Sequence, residues 1–313
     1  MRTTCLTRFL FYLSALIFLS CFALSGCLRK SPPPASLPEK PLPSVKEERE
    51  PVIALVLGGG AARGFAHIGV IRVLEQEKIP IRMIVGTSIR SLIGAMYADG
   101  QTSFDLEWIT HDVKKEDFFD FTFFDSLKGP FIGDKIEEFI TKNVKARNIE
   151  ELKIPYAAVA ADLYTGERVI LRSGPVAKAV RASCAIPGIF HPVPLGNMLL
   201  TDGGIVDNVP VKVARDLGAD IVIAVDISRS IEKFEINNFV STTIQAVGIM
   251  AREIGRCRAE GADILIAPEV GRFDAMDFEK KKECIIAGIE AAQGSVDSIS
   301  ELLERWEKAL SLP

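Results

Sequence analysis

Residues 52–88 read VIALVLGGGAARGFAHIGVIRVLEQEKIPIRMIVGTS, and the order of patterns within them decides the fold class. Residues 52–57 are a β-branched apolar run of strand length that stops on Gly58, Gly59 and Gly60. From 67 to 77 the apolar positions fall at helical spacing, and 81–85 (IRMIV) is a second apolar run. Strand, glycine loop, helix and strand in that order is a βαβ unit, whose parallel strands need a crossover helix to join them.

The rhythm continues outward. A helical pattern follows Gly86-Thr87-Ser88 through Tyr97, and strand-like runs recur at 156–161, 198–201, 221–226 and 262–267, with a hairpin across Tyr164-Thr165-Gly166. The expectation is an α/β protein, a three-layer α/β/α sheet with helices on both faces. Residues 101–150 interrupt the rhythm with the aromatic stretch DFFDFTFFD at 117–125. Phenylalanines so dense read as core packing or as the wall of an apolar lid.

The 313 residues, 48% hydrophobic and 25% charged, are enough for one full core, and they exclude disordered and collagenous chains. Lys+Arg of 37 against Asp+Glu of 41 leaves a net charge of −4, with no basic excess to bind nucleic acid. The mean hydropathy of +0.22 is weighted toward one end of the chain. Arg2 and Arg8 precede an uncharged apolar run at 9–24, short for a membrane span of about 20 residues but ordinary for a signal-peptide core.

That run ends in Leu24-Ser25-Gly26-Cys27, which resembles the lipobox of bacterial lipoproteins. The expected organisation is a signal peptide at 1–26, a tether rich in Pro, Lys and Glu at 27–51 carrying lipid on Cys27, a globular domain at 52–230, and an extension at 231–313 packing on it. Removal of 1–26 leaves 287 residues and a charge of −6. An uncleaved apolar anchor is the other reading, and both hold the N-terminus at a membrane. Leu28 after Cys27 points to outer-membrane sorting, at the periplasmic face or the cell surface. Beyond the tether only Cys184, Cys257 and Cys284 remain, without metal-ligand spacing, and they read as small buried hydrophobes.

Three motifs carry chemistry. Gly58 to Gly64 (GGGAARG) sits between strand and helix, where backbone N–H groups favour an anion; neither GxxxxGK[ST] nor GxGxxG fits its spacing. Gly86-Thr87-Ser88-Ile89-Arg90 places a serine on a strand-to-helix elbow, as a nucleophile or a helix cap. Thr201-Asp202-Gly203-Gly204, followed by Asp207-Asn208-Val209-Pro210, puts a carboxylate at a strand end, as a base or a turn brace.

Together with ASCAIPGIFHPV (182–193) and DGGIVDNVPV (202–211), these blocks resemble the patatin-like phospholipases, in particular the bacterial branch similar to neuropathy target esterase; the likeness spans about 52–230. The resemblance implies acyl-ester hydrolysis of a phospholipid or lysophospholipid by a Ser88–Asp202 dyad. An acyl-Ser88 intermediate would form, with amides of Gly58, Gly59, Gly60 and Ala61 as oxyanion hole and Arg63 meeting a lipid phosphate. No cofactor or metal is implied, and no protein partner is named. Histidine is scarce: His67, His111 and His191 all precede Asp202, whereas a conventional Ser-Asp-His order needs a histidine after its acid. His191, in the turn Ile189-Phe190-His191-Pro192, is the one candidate for a His-assisted triad, and His67 reads as satisfying the helix after the glycine loop.

Where the family's elbow reads G-x-S-x-G, this chain has Arg90. A small residue there lets the helix pack closely, and a cation in the first helical turn opposes the dipole by roughly 0.3–1 kcal/mol. Three readings stand open: Arg90 turns outward and spares a working hydrolase, it distorts the elbow and leaves a lipid-binding protein without activity, or it is an isolated variant.

Overall fold

Strand β1 (Ile53–Leu57) is buried along its whole length and pairs in parallel with β2 (Ile81–Thr87) on one side and β7 (Ile221–Val225) on the other. The computed structural model describes residues 50–120, 129–227, 236, 239–273 and 277–310. β3 (Tyr156–Asp162) and β8 (Ile264–Ile266) extend the parallel set beyond β2 and β7. β4 (Arg168–Leu171), β5 (Val193–Leu195) and β6 (Met198–Asp202) join antiparallel on the β3 side. The order is β5-β6-β3-β2-β1-β7-β8, with β4 beside β3.

Alternation along β1 divides two cores. Ile53, Leu55 and Leu57 face one, and Ala54 and Val56 the other. The first is filled from α1 (Ala66–Gln76), α2 (Ile89–Ala98), α3 (Ser103–His111), α4 (Asp134–Asn143), α5 (Val176–Ser183), α8 (Lys281–Gln293) and α9 (Val296–Leu310). The second, thinner core is closed by α6 (Val211–Asp216) and by Ala259, next after α7 (Phe239–Arg258). The sheet therefore has helices on both faces, and the α/β class read from the sequence holds.

One edge of β3 sets the geometry of everything below. Residues 156–159 pair with β2, and residues 160–162 pair with β6. β4 spans 158–161 and overlaps both, so it must occupy the opposite edge. β2 and β6 therefore share an edge and meet end to end, with Thr87 opposite Val159 and Asp202 opposite Ala160.

The C-terminal segment is built into the same unit. β8 extends the sheet beyond β7, and α8 crosses α1 where both helices present glycine. A Cβ on Gly69 would stand 2.0 Å from the Ile285 carbonyl oxygen, and one on Gly288 1.9 Å from that of Ala66. In the aromatic stretch, Phe118 packs on Phe139 and Phe278, and Phe119 on Phe131 and Phe190, at 4.9–5.8 Å between rings. Core packing thus accounts for these two; Phe121, Phe123 and Phe124 lie outside the described residues, as do the expected leader, Cys27 and the expected tether up to residue 49. Cys184 and Cys284 are buried, but Cys257 is exposed on α7, against expectation. Among the described residues no helix is long and apolar enough to cross a membrane.

The α1–α8 crossing is testable. Gly288→Ala forces backbone apart and is expected to destabilise by about 1–3 kcal/mol in urea unfolding. Gly248→Ala, in α7 where a Cβ meets nothing within 4 Å, is expected to be stabilising by up to about 1 kcal/mol.

Candidate functional site

Ser88 lies between β2 and α2 with φ 63° and ψ −146°, a conformation an L residue adopts only where its surroundings impose it. Gly86 makes the turn possible, since a Cβ there would stand 2.7 Å from the Ser91 Cα. The Ser88 N–H donates to Ser183 Oγ at 2.9 Å, and Ser183 Oγ–H donates to the Val159 carbonyl at 2.6 Å. The Ser88 carbonyl accepts from Ser91 Oγ at 2.6 Å. Both peptide groups of the elbow are thereby held.

The free end of the side chain points at the partner strand. Ser88 Oγ donates to Asp202 Oδ2 at 2.5 Å, and Asp202 Oδ1 accepts the Gly204 N–H at 2.7 Å. Burial raises the Asp202 carboxyl to about 6, against the opposing pull of the Ser88 hydroxyl, the Gly204 amide and the Arg90 charge. None of the three histidines hydrogen-bonds to either residue. His67 Nδ1–H donates to the Gly64 carbonyl at 3.0 Å, and burial together with Arg90 pushes this ring down to about 3, so it is neutral. His191 bonds the Gly129 carbonyl and His111 pairs with Asp112 at the surface.

The glycine loop is narrower as a donor set than its sequence suggests. The Gly58 N–H donates to Val225 O and the Gly59 N–H to Asn208 O, each at 2.9 Å. These two amides are spent, which removes them from the expected oxyanion hole. Among the described residues no backbone carbonyl takes the Gly60 N–H, and Ala61 opens a 3₁₀ turn, whose first amides have no partner within it. A Cβ on Gly59 would stand 1.8 Å from Asn208 Oδ1, so a larger residue there would displace the Asn208 side chain.

Arg63, expected to meet a lipid phosphate, is committed elsewhere: its Nε donates to Phe273 O at 2.8 Å and Nη2 to Gly271 O at 3.1 Å. It ties the loop to the C-terminal segment.

Arg90 does not turn outward. The side chain is fully buried, and the elbow beside it keeps the Ser88–Asp202 hydrogen bond. Room for the guanidinium comes from the glycine loop: a Cβ on Gly59 would lie 3.1 Å from Nη1, one on Gly60 2.4 Å from Nη2, and one on Gly64 3.4 Å from Nε. Burial lowers Arg90 to about 9, while the nearby Asp202 charge pulls it up, so it remains a cation at neutral pH.

Two supporting residues carried no role in the sequence reading. Ser183 lies within the ASCAIPGIFHPV block and Asn208 within DGGIVDNVPV, and block membership was the only signal for either. Cys184, 4.0 Å from Ser91 Oγ, is pushed up by burial and stays a thiol. Among the described residues no group of three or more His, Cys, Asp or Glu side chains gathers to hold a metal ion.

A family model described as patatin-like phospholipase matches residues 55–215, just over half the chain. An uncharacterised NTE family protein of Mycobacterium tuberculosis is 36% identical over 199 residues, covering 64% of this chain and 54% of the relative. The human patatin-like phospholipase domain-containing protein 6 is 36% identical over 183 residues, 56% of this chain and 13% of that one. The chain thus spans about half the length of the mycobacterial relative and a small part of the human one. VipD from Legionella pneumophila shares the fold, with a TM-score of 0.54 at 12% identity over 80% of this chain and 67% of that one.

Because Asp202 titrates higher in the folded protein than the carboxylate value of 3.8, its ionisation opposes folding. The cost is absent below about pH 4 and complete above about pH 6, where it amounts to about 3 kcal/mol. Asp202→Asn is expected to raise the thermal midpoint at pH 8 and to match the wild type near pH 4.

Proposed function

Because the chain belongs to the patatin-like phospholipase family, we propose that it hydrolyses lipid acyl esters through Ser88, with Asp202 as its base. The observation that carries this reading is the 2.5 Å hydrogen bond from a strained, buried serine to a carboxylate with no histidine between them. Membership of the family implies a lipid acyl hydrolase; the roles of Ser88 and Asp202 are those the motif resemblance implies, and the hydrogen bond between them supports that reading.

Ser88 Oγ attacks the ester carbonyl while its proton passes to Asp202 Oδ2, and the carbonyl oxygen becomes an oxyanion facing the Gly60 and Ala61 amides. Collapse breaks the bond to the alcohol oxygen, which takes the proton back from Asp202. Water then repeats the sequence on acyl-Ser88 and releases the fatty acid. Gly204 holds Asp202 Oδ1 throughout, so only Oδ2 exchanges a proton. The substrate is a phospholipid or lysophospholipid. The sequence of the leader supports a lipoprotein held at a membrane through Cys27.

Purified protein is expected to hydrolyse p-nitrophenyl esters and to bind a fluorophosphonate probe covalently. Ser88→Ala should remove both, and Asp202→Asn should reduce turnover by about a thousandfold. Since the base must be ionised, kcat/KM should rise with pH through about 6 and level off. A wild type no more active than Ser88→Ala overturns the hydrolase reading in favour of a lipid-binding protein. Labelling of cells with radioactive palmitate, lost in Cys27→Ser, checks the anchor.

A further inference from the structure

The residue that departs from the family's elbow is also the least satisfied side chain among those described. Nε, Nη1 and Nη2 of Arg90 are all buried without a hydrogen-bond partner. An unpaired cation out of water is costly, and an apolar side chain of similar length would fill the same slot without that cost. The guanidinium lies against Gly59, Gly60 and Gly64, in space that any side chain on the loop would take.

The charged and titratable groups that face it come from every element around the site. Asp202 at the end of β6 pulls it most strongly, and Asp226 after β7 pulls in the same sense. Arg63 on the loop repels it, the Cys184 thiol beyond α5 is un-ionised, and His67 on α1 is neutral. Among these Asp202 alone has a part in the proposed chemistry, and the guanidinium touches Gly60, whose amide faces the forming oxyanion.

We infer that Arg90 is a built-in counter-charge for the hydrolysis proposed above, a positioning residue that keeps Asp202 ionised before attack and favours the oxyanion after it. The inference rests on that hydrolase reading. During attack the Ser88 proton neutralises Asp202 as negative charge appears on the substrate oxygen. Net charge is conserved and moves from the carboxylate to the substrate oxygen facing the glycine loop; the guanidinium lies against that loop and acts on the carboxylate through its field. A cation already fixed and already stripped of water need not reorganise as the charge moves. With two loop amides spent on Val225 and Asn208, that cation supplies what the shortened donor set lacks.

The test compares wild type with Arg90→Met, Arg90→Lys and Arg90→Gly by fluorophosphonate inactivation rate against pH and by thermal midpoint. Arg90→Met is expected to be more stable than wild type, to label about tenfold more slowly or worse at pH 7, and to have its acid limb moved up. Arg90→Lys, which restores the charge, should bring rate and limb back toward wild type; a purely structural role predicts neither. Should Arg90→Met not fold, Arg90→Gln carries the same comparison.

A second readout needs no turnover. The difference in thermal midpoint between each protein and its Asp202→Asn counterpart, followed against pH, reports Asp202 ionisation directly, and its midpoint should move with the labelling limb. Arg90→Met labelling at the wild-type rate with an unmoved limb overturns the inference. Arg90→Gly labelling faster than wild type also overturns it and makes Arg90 an obstruction. A wild type that never labels fails the hydrolase reading and with it the oxyanion half; an unmoved Asp202 titration fails the carboxylate half independently.

Discussion

One edge of β3 serves two strands in succession, and the candidate site is a consequence of that sharing. β2 runs along the edge as far as Val159 and stops; β6 arrives from the other direction and stops at Ala160. Their ends abut, so the residue after Thr87 and the last residue of β6 face each other across a backbone gap fixed by hydrogen-bonded pairing. The Ser88–Asp202 contact is therefore set by sheet register, with loops playing a secondary part. Gly203 fits against the Val159 carbonyl, where a Cβ would stand 2.4 Å away, and Ser183 joins that same carbonyl to the Ser88 amide. Val159 is thus the hub through which strand, elbow and carboxylate are located together.

The site holds ionisable groups out of water, and each records the cost. Burial moves Asp202 up, Arg90 down and His67 down, in every case toward the neutral form. His67 yields and becomes neutral. Asp202 and Arg90 stay charged at neutral pH, near enough for each to offset part of the other's desolvation. The glycines make this possible by volume as much as by conformation. Gly59 admits Asn208 Oδ1, and Gly59, Gly60 and Gly64 together leave the slot that the guanidinium fills.

Most of the strands, the βαβ order and the serine and aspartate at two strand ends were legible because each leaves a local pattern; three-residue β5 is too short to leave one. Other features were not local. β2 runs on to Thr87, two residues past its apolar run, because Gly86 and Thr87 find partners in Ala158 and Val159. A run of glycines shows that amides can point into a cavity but not which carbonyls have claimed them, hence the loss of Gly58 and Gly59 from the donor set. The direction of Arg90 depended on empty volume at Gly59, Gly60 and Gly64, far away in sequence. Arg63 was read as free for a ligand because the carbonyls of Gly271 and Phe273 that bind it lie in a segment without a motif.

That motif-free segment completes the site. The glycine loop must hold its shape against a buried cation, and it is fastened at both ends. At its start Gly58 and Gly59 are bonded to Val225 and Asn208. At its end Arg63 reaches the carbonyls of Gly271 and Phe273, and α1, which continues from the loop, is pressed on α8 at Gly69 and Gly288. Ser88, with its positive φ, and Arg90, with its unpaired guanidinium, lie two residues apart on the elbow facing this loop. Both are conformations that persist only where surrounding contacts over-determine them. The C-terminal segment braces the loop through Arg63 and through α1, so the candidate site, whose residues lie between Gly58 and Gly204, draws part of its geometry from residues beyond it.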